Sequence, residues 1–183
     1  MRLASTGPSR STGIGWGRVL LLAKDFAPSS YLRDRLERRV TRPYSHDPKL
    51  RTNIRLRRFA SPFEEFGLLY GSAAGNLRRE DGSWSGALPN EAEAREHGVR
   101  ILRDFVLPNM REDTLIMCLG EDAWRFACGA TNQMGDWRTH RDLQIPLGNM
   151  IGAYHPARAS NANQAGPWQL LARMLSEPWR RAQ

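Results

Sequence analysis

Four short apolar runs, separated by stretches with helical spacing, constrain the fold of this chain more than any other feature. They occupy residues 18–23, 66–70, 115–119 and 150–154. Short apolar runs bounded by turn residues are typical of buried strands. Strands that alternate with helices favour a parallel sheet covered on both faces. We therefore predict an α/β fold, a three-layer α/β/α sandwich with a central, largely parallel four-stranded sheet.

Helical patterns fill the connections between these runs. They occupy residues 31–40, 90–108, a segment after Gly120 that carries Trp124 and Phe126, and residues 168–175. The helix over 90–108 has acids in its first turn, as the helix dipole prefers. Its predicted apolar stripe is Val99, Leu102, Phe105 and Val106. Two prolines make residues 41–53 turn-rich instead.

The length of 183 residues suits one domain with a single core. The first seventeen residues are rich in Ser, Gly and Arg and contain no acid. We expect residues 1–17 to be disordered or loosely packed and residues 18–183 to form the domain, with a transit peptide as the alternative at the N-terminus. The longest apolar run is too short to span a membrane. We expect a cytoplasmic monomer with no membrane partner.

Charge favours a polyanionic partner. The chain has 27 Lys and Arg residues against 19 Asp and Glu, a net charge of +8, and its only lysines are Lys24 and Lys49. Arginine grips phosphates through two hydrogen bonds, so a nucleic acid is favoured, although GC-rich coding also produces arginine. Cys118 and Cys128 lie in apolar surroundings. Two cysteines support neither a disulfide framework nor a four-thiolate metal site, and we expect reduced, structural thiols.

In open parallel sheets, functional sites lie beyond the carboxyl ends of the strands. The predicted strand ends carry Lys24-Asp25-Phe26, Gly71-Ser72, Gly120-Glu121 and His155-Pro156. We therefore expect Asp25 and His155 at one edge of the sheet. Each also has a simpler interpretation: Asp25 could cap a following helix, and His155 could be an ordinary strand-end histidine. Glu121 and Asp122 fit the first turn of the helix after Gly120.

Two of these strand ends resemble the signature motifs of the uracil-DNA glycosylase superfamily. "LLLAKDFAPSS" is similar to the first motif and "AYHPARAS" to the second, and "CLGEDAWRF" lies between them in the family's order. The resemblance implies that Asp25 activates water and that His155 hydrogen-bonds the oxygen of the departing uracil. It also places residues 157–161 in the DNA minor groove.

The resemblance implies further site residues. Phe26 or Tyr44 would stack on the flipped base, and Ser72 lies near the position of the family's uracil-reading Asn. Tyr44 stands in "TRPY", which is similar to a Gly-Arg-Pro-Phe stretch of the iron–sulfur branch. That branch's four cysteines are missing, so no cluster, metal or other cofactor is expected. The residues expected to contact DNA are Arg158, Ser160 and Asn161.

These features together predict a monofunctional DNA glycosylase that hydrolyses the N-glycosidic bond of a flipped-out uracil or other deaminated base, in double- or single-stranded DNA. A non-catalytic member of the same fold that binds nucleic acid or a nucleobase is the main alternative. A hydrolase of small nucleosides is a third class. The remaining histidines, His46, His97 and His140, have no partner at metal spacing and are expected at the surface.

Overall fold

A computed structural model of the chain describes residues 17–24, 51–72, 91–158 and 160–176. Its strands are β1 (Val19–Ala23), β2 (Leu68–Ser72), β3 (Leu115–Leu119) and β4 (Met150–Ala153). They hydrogen-bond in the order β2–β1–β3–β4, and each neighbouring pair is parallel. The predicted α/β class is confirmed. Residues 1–16 of the N-terminal segment predicted to be disordered or loosely packed, and the predicted helix over residues 31–40, lie outside the described residues.

Five helices accompany the sheet in the described residues. They are α1 (Arg51–Ala60), α2 (Glu91–Ile101), α3 (Glu121–Thr131), α4 (Trp137–Asp142) and α5 (Asn161–Ser176). A 3₁₀ helix, Ser61–Phe66, follows α1, and α2 continues as a π-helix, Leu102–Val106, and a short 3₁₀ turn, Leu107–Asn109. None of the described helices is long and apolar enough to cross a membrane.

The two faces of the sheet bury different helices. Val19 and Leu21 of β1 belong to a cluster with residues of α1 and α5, whereas Leu20 and Leu22 belong to a cluster with residues of α3 and the end of α2. Alternate strand residues point to opposite faces, so a strand covered on both sides must be apolar throughout. This explains why "VLLLA" is continuous rather than alternating.

The main differences from the predicted boundaries concern β2, α1 and α5. The second strand begins at Leu68 rather than at residue 66, because the 3₁₀ helix runs to Phe66 and Gly67 then turns the chain with φ +71°. Helix α1 begins at Arg51, inside the stretch predicted as turn-rich, because both prolines precede its first turn. Helix α5 begins at Asn161 and contains Pro167, whereas the sequence predicted a start at residue 168.

Phe105 was predicted in the buried stripe of α2 but is 66% exposed. The stripe assumes an α-helical period, and the backbone changes to a π-helix at Leu102. Wider π turns rotate each later side chain relative to that period. Leu102 therefore stays buried while Phe105 faces solvent.

Candidate functional site

A cleft of about 620 Å³ opens at the carboxyl edge of the sheet. Parallel strands place their carboxyl ends on one edge, so the segments that follow β1, β3 and β4 meet there. The described residues that line the cleft come from these strand ends and from α3 and α4. They are Lys24, Leu119, Gly120, Glu121, Asp122, Arg125, Trp137, Tyr154, His155 and Arg158.

His155 follows β4 directly and is half-buried at this cleft. Its Nδ1 accepts a hydrogen bond from the backbone N–H of Ala157 at 3.2 Å. Because Nδ1 is the acceptor, the proton of the neutral ring is on Nε2, which makes Nε2 a hydrogen-bond donor. The backbone N–H of Arg158 donates to the carbonyl of His155 at 3.0 Å and closes the turn. The imidazole is thus held in one orientation by its own loop.

Two helices fix the ends of this histidine turn. Arg55 of α1 donates from Nη1 to the carbonyl of Pro156 at 2.6 Å. Gln164 of α5 is fully buried and donates from Nε2 to the carbonyl of Tyr154 at 3.2 Å. Sequence reasoning missed both residues, because neither belongs to a motif and each acts on a carbonyl that any residue could supply. Their contacts hold the backbone on both sides of His155.

Charged residues of both signs line the cleft. Lys24 lies 3.0 Å from Asp122, and Arg125 pairs with Glu121 one turn earlier in α3. Both acids stand in the first turn of that helix, as the sequence predicted. Arg158 is exposed, and no described acid pairs with it. The uncompensated positive charge among the lining side chains therefore belongs to Arg158.

Trp137 and Tyr154 form an aromatic wall of the cleft. Their rings are 5.9 Å apart between centroids and nearly perpendicular, at 76°. The guanidinium of Arg141 lies 4.1 Å from each ring centroid, a cation–π arrangement. It also donates two hydrogen bonds to Asp142 and so holds the pKa of that carboxyl below its usual range. The sequence did not reveal this wall, because α4 is too short to show a period.

The predicted catalytic pair is described in part. His155 is in the cleft, whereas Asp25 and the proposed stacking residues Phe26 and Tyr44 lie outside the described residues. Lys24, the residue before Asp25, lines the same cleft as His155. The chain that leaves β1 therefore starts at this cleft, as the sequence predicted for this strand end.

The other predicted site residues surround the same edge. Ser72 is the last residue of β2 and pairs in register with Ala23, the last residue of β1. Ser160 is exposed, and its Oγ accepts from the backbone N–H of Asn163 at 3.2 Å, so this hydroxyl caps α5. Asn161 is the first residue of that helix. Arg158 on the cleft and Ser160 at the start of α5 are therefore only two positions apart in the chain.

Two further histidines, His97 and His140, and both cysteines lie within the described residues. His97 is exposed, as predicted, but His140 is half-buried, with its ring 5.1 Å from that of Trp124. His46 lies outside the described residues. Cys118 is a buried free thiol, and burial raises its pKa. No group of three or more potential metal ligands occurs in the described part of the chain.

No family model matches the chain, and no curated protein or solved structure is significantly similar to it. The fold and the cleft define a parallel α/β protein with a polar site at the carboxyl edge of its sheet.

Proposed function

We propose that this protein is a uracil-DNA glycosylase-like hydrolase on a three-layer α/β/α frame. It removes a flipped-out uracil or other deaminated base from DNA and acts as a cytoplasmic monomer. The observation that carries this proposal is the placement of His155. Its Nδ1 is occupied by the backbone N–H of Ala157, so Nε2 is a donor, and the chain enters the same cleft just before Asp25.

The chemistry matches this pair of residues. Hydrolysis first needs the nucleotide flipped out, because the sugar carbon is shielded within the stack. As the bond to the base breaks, positive charge develops on the sugar and negative charge on the base. A carboxylate such as Asp25 orients water and stabilises the sugar cation, while the Nε2–H of His155 stabilises the base anion. Water adds to the sugar carbon, and the base leaves with a proton.

DNA recognition would use the residues beyond the histidine. Arg158 is the cation on the cleft with no acidic partner among the described residues, and its guanidinium can bind a flanking phosphate. Ser160 and Asn161 follow at the start of α5. Base stacking by Phe26 or Tyr44 remains a prediction from the family resemblance.

The test is excision from oligonucleotides that contain uracil, hypoxanthine or xanthine, single- and double-stranded, read by alkaline cleavage at the abasic site. We expect slow excision of several bases, because Gly71 and Ser72 stand where the family's uracil-reading amide is expected. His155→Ala should lower the rate about a hundredfold or more, and Asp25→Asn should reduce it sharply. The exposed His97→Ala is the control. Full activity of His155→Ala would refute the proposal.

A non-catalytic member of the fold is the second candidate, and the end of β2 favours it. Ser72 ends β2 beside Ala23, so no side-chain amide is available at that position in the register. Tight DNA binding that weakens steeply with salt, without excision of any base, would support this candidate. Salt-insensitive turnover of free nucleosides would instead indicate a small-molecule hydrolase.

A further inference from the structure

Helix α1 lies against the loop that carries the proposed catalytic histidine. The hydrogen bond from Arg55 Nη1 to the carbonyl of Pro156, at 2.6 Å, joins residues 101 positions apart in the chain. Arg158 stands two residues beyond Pro156, on the cleft. Helix α1 therefore contacts the same loop that contributes His155 and Arg158 to the cleft.

All charged residues of α1 are basic. The helix contains Arg51, Arg55, Arg57 and Arg58 and no acidic residue. Arg57 and Arg58 are exposed, and in the described ranges no acid forms an ion pair with either of them. Like charges at helical spacing destabilise a helix, so this arrangement works against the stability of the isolated domain. A polyanion bound along the helix would remove that penalty.

Arginines elsewhere in the described chain are often neutralised. Five of them form ion pairs with an aspartate or glutamate: Arg18, Arg103, Arg111, Arg125 and Arg141. Arg57, Arg58 and Arg158 form no such ion pair with any acid in the described ranges, and the contact between Arg55 and Pro156 joins α1 to the loop that carries Arg158.

Helical geometry distinguishes the arginines of α1. Arg58 follows Arg55 by three residues, so both lie on the side of the helix that meets the histidine loop. Arg57 follows Arg55 by two residues, which places it about 200° around the axis. Arg57 therefore faces away from the loop, although it is exposed and carries the same charge.

We propose that the side of α1 defined by Arg55 and Arg58, together with Arg158, is a phosphate-binding strip for the nucleic-acid strand that enters the cleft. The partner is identified by its chemistry: a chain of phosphates that guanidinium groups bind through paired hydrogen bonds. The strip rests on the proposed function, since a small nucleoside would not reach α1. The strip extends the proposed DNA-binding residues to α1, a helix that lies outside the two segments that resemble the family motifs.

The test compares Arg58→Gln with its matched control Arg57→Gln. Both substitutions remove one exposed charge from the same helix, and Gln keeps a high helix propensity. Binding of a fluorescein-labelled oligonucleotide, duplex and single-stranded, is measured across a range of NaCl concentrations. Each lost phosphate contact should reduce the magnitude of the log–log salt slope by about 0.9 for duplex and about 0.7 for a single strand. At about 0.1 M salt, the loss of one phosphate contact to duplex DNA corresponds to roughly eightfold weaker binding.

We expect the reduced slope in Arg58→Gln and an unchanged slope in Arg57→Gln. Equal effects of the two substitutions would overturn the strip, because they would show a general charge effect. No effect of either would overturn it as well. If the unsubstituted protein excises bases and Arg58→Gln binds normally, only the strip fails. If the unsubstituted protein binds no oligonucleotide, or binds anionic phospholipid vesicles in place of DNA, the strip and the proposed function fail together.

Discussion

Two buried tryptophans differ in whether the indole N–H has a hydrogen-bond partner. Trp124 is 1% exposed, and its Nε1–H donates to the carbonyl of Gly135 at 2.7 Å. Trp168 is 4% exposed, and its buried Nε1 has no partner in the part of the chain that the structure describes. Replacing each by Phe removes a satisfied N–H in one case and an unsatisfied N–H in the other.

The expected difference in stability follows from these contacts. Trp124→Phe loses a hydrogen bond that contributes about 1 kcal/mol, whereas Trp168→Phe removes an unpaired N–H that costs about 1–3 kcal/mol. Both substitutions delete a similar ring volume, and that packing loss largely cancels in the comparison. We expect Trp124→Phe to have a free energy of unfolding about 2–4 kcal/mol below that of Trp168→Phe. For a chain of this length the difference in Tm is on the order of 10 °C.

Differential scanning calorimetry of both variants and the unsubstituted protein measures this difference, with agreement of calorimetric and van't Hoff enthalpies as the check on two-state unfolding. Trp124→Phe should melt well below the unsubstituted protein, and Trp168→Phe should melt above Trp124→Phe. Tm values of the two variants within about 1 °C of each other would refute the reasoning. The hydrogen bond from the indole of Trp124 and the unpaired N–H of Trp168 would then make no measurable difference to stability.

Three further predictions concern the histidine loop, pH and thiol chemistry. Arg55→Met should lower the free energy of unfolding in urea by about 1–3 kcal/mol, because the carbonyl of Pro156 loses a charged donor. The Arg111 guanidinium lowers the pKa of Asp113, so its stabilisation is present above the unfolded pKa of about 3.9 and is lost as the pH falls through the lower folded value. The urea concentration at the unfolding midpoint should therefore decrease as the pH is lowered below about 4, and this decrease should be smaller in Asp113→Asn. Cys118 should react with a thiol reagent only after denaturation, since it is buried and its pKa is raised.

The sequence was most informative where one local pattern decided the structure. The strand β3 has the predicted bounds, Leu115–Leu119, because a strand buried on both faces must be apolar at each position. The acids Glu121 and Asp122 were placed in the first turn of α3 because the helix dipole acts within that turn. Neither inference needed any knowledge of distant residues.

Local pattern failed where the backbone departed from a regular period. The exposure of Phe105 follows from a π-helix that begins at Leu102, and no residue there marks the change. The last helix was predicted to start at residue 168, yet it begins at Asn161 and contains Pro167, and the fold supplies packing that an isolated helix would lack. Helix α4 has six residues, fewer than two turns, and shows no readable apolar face.

For the candidate site too, the sequence indicated some features and only the tertiary structure decided the others. The sequence alone marked His155 and the end of β1 as neighbours, because parallel strands bring their carboxyl ends to one edge whatever the distance along the chain. Only the tertiary structure showed that Ala157 fixes the proton of the imidazole and that Arg55, 101 residues from Pro156, holds the loop. Such contacts depend on how helices pack against the sheet, and packing depends on distances between residues that no local pattern encodes.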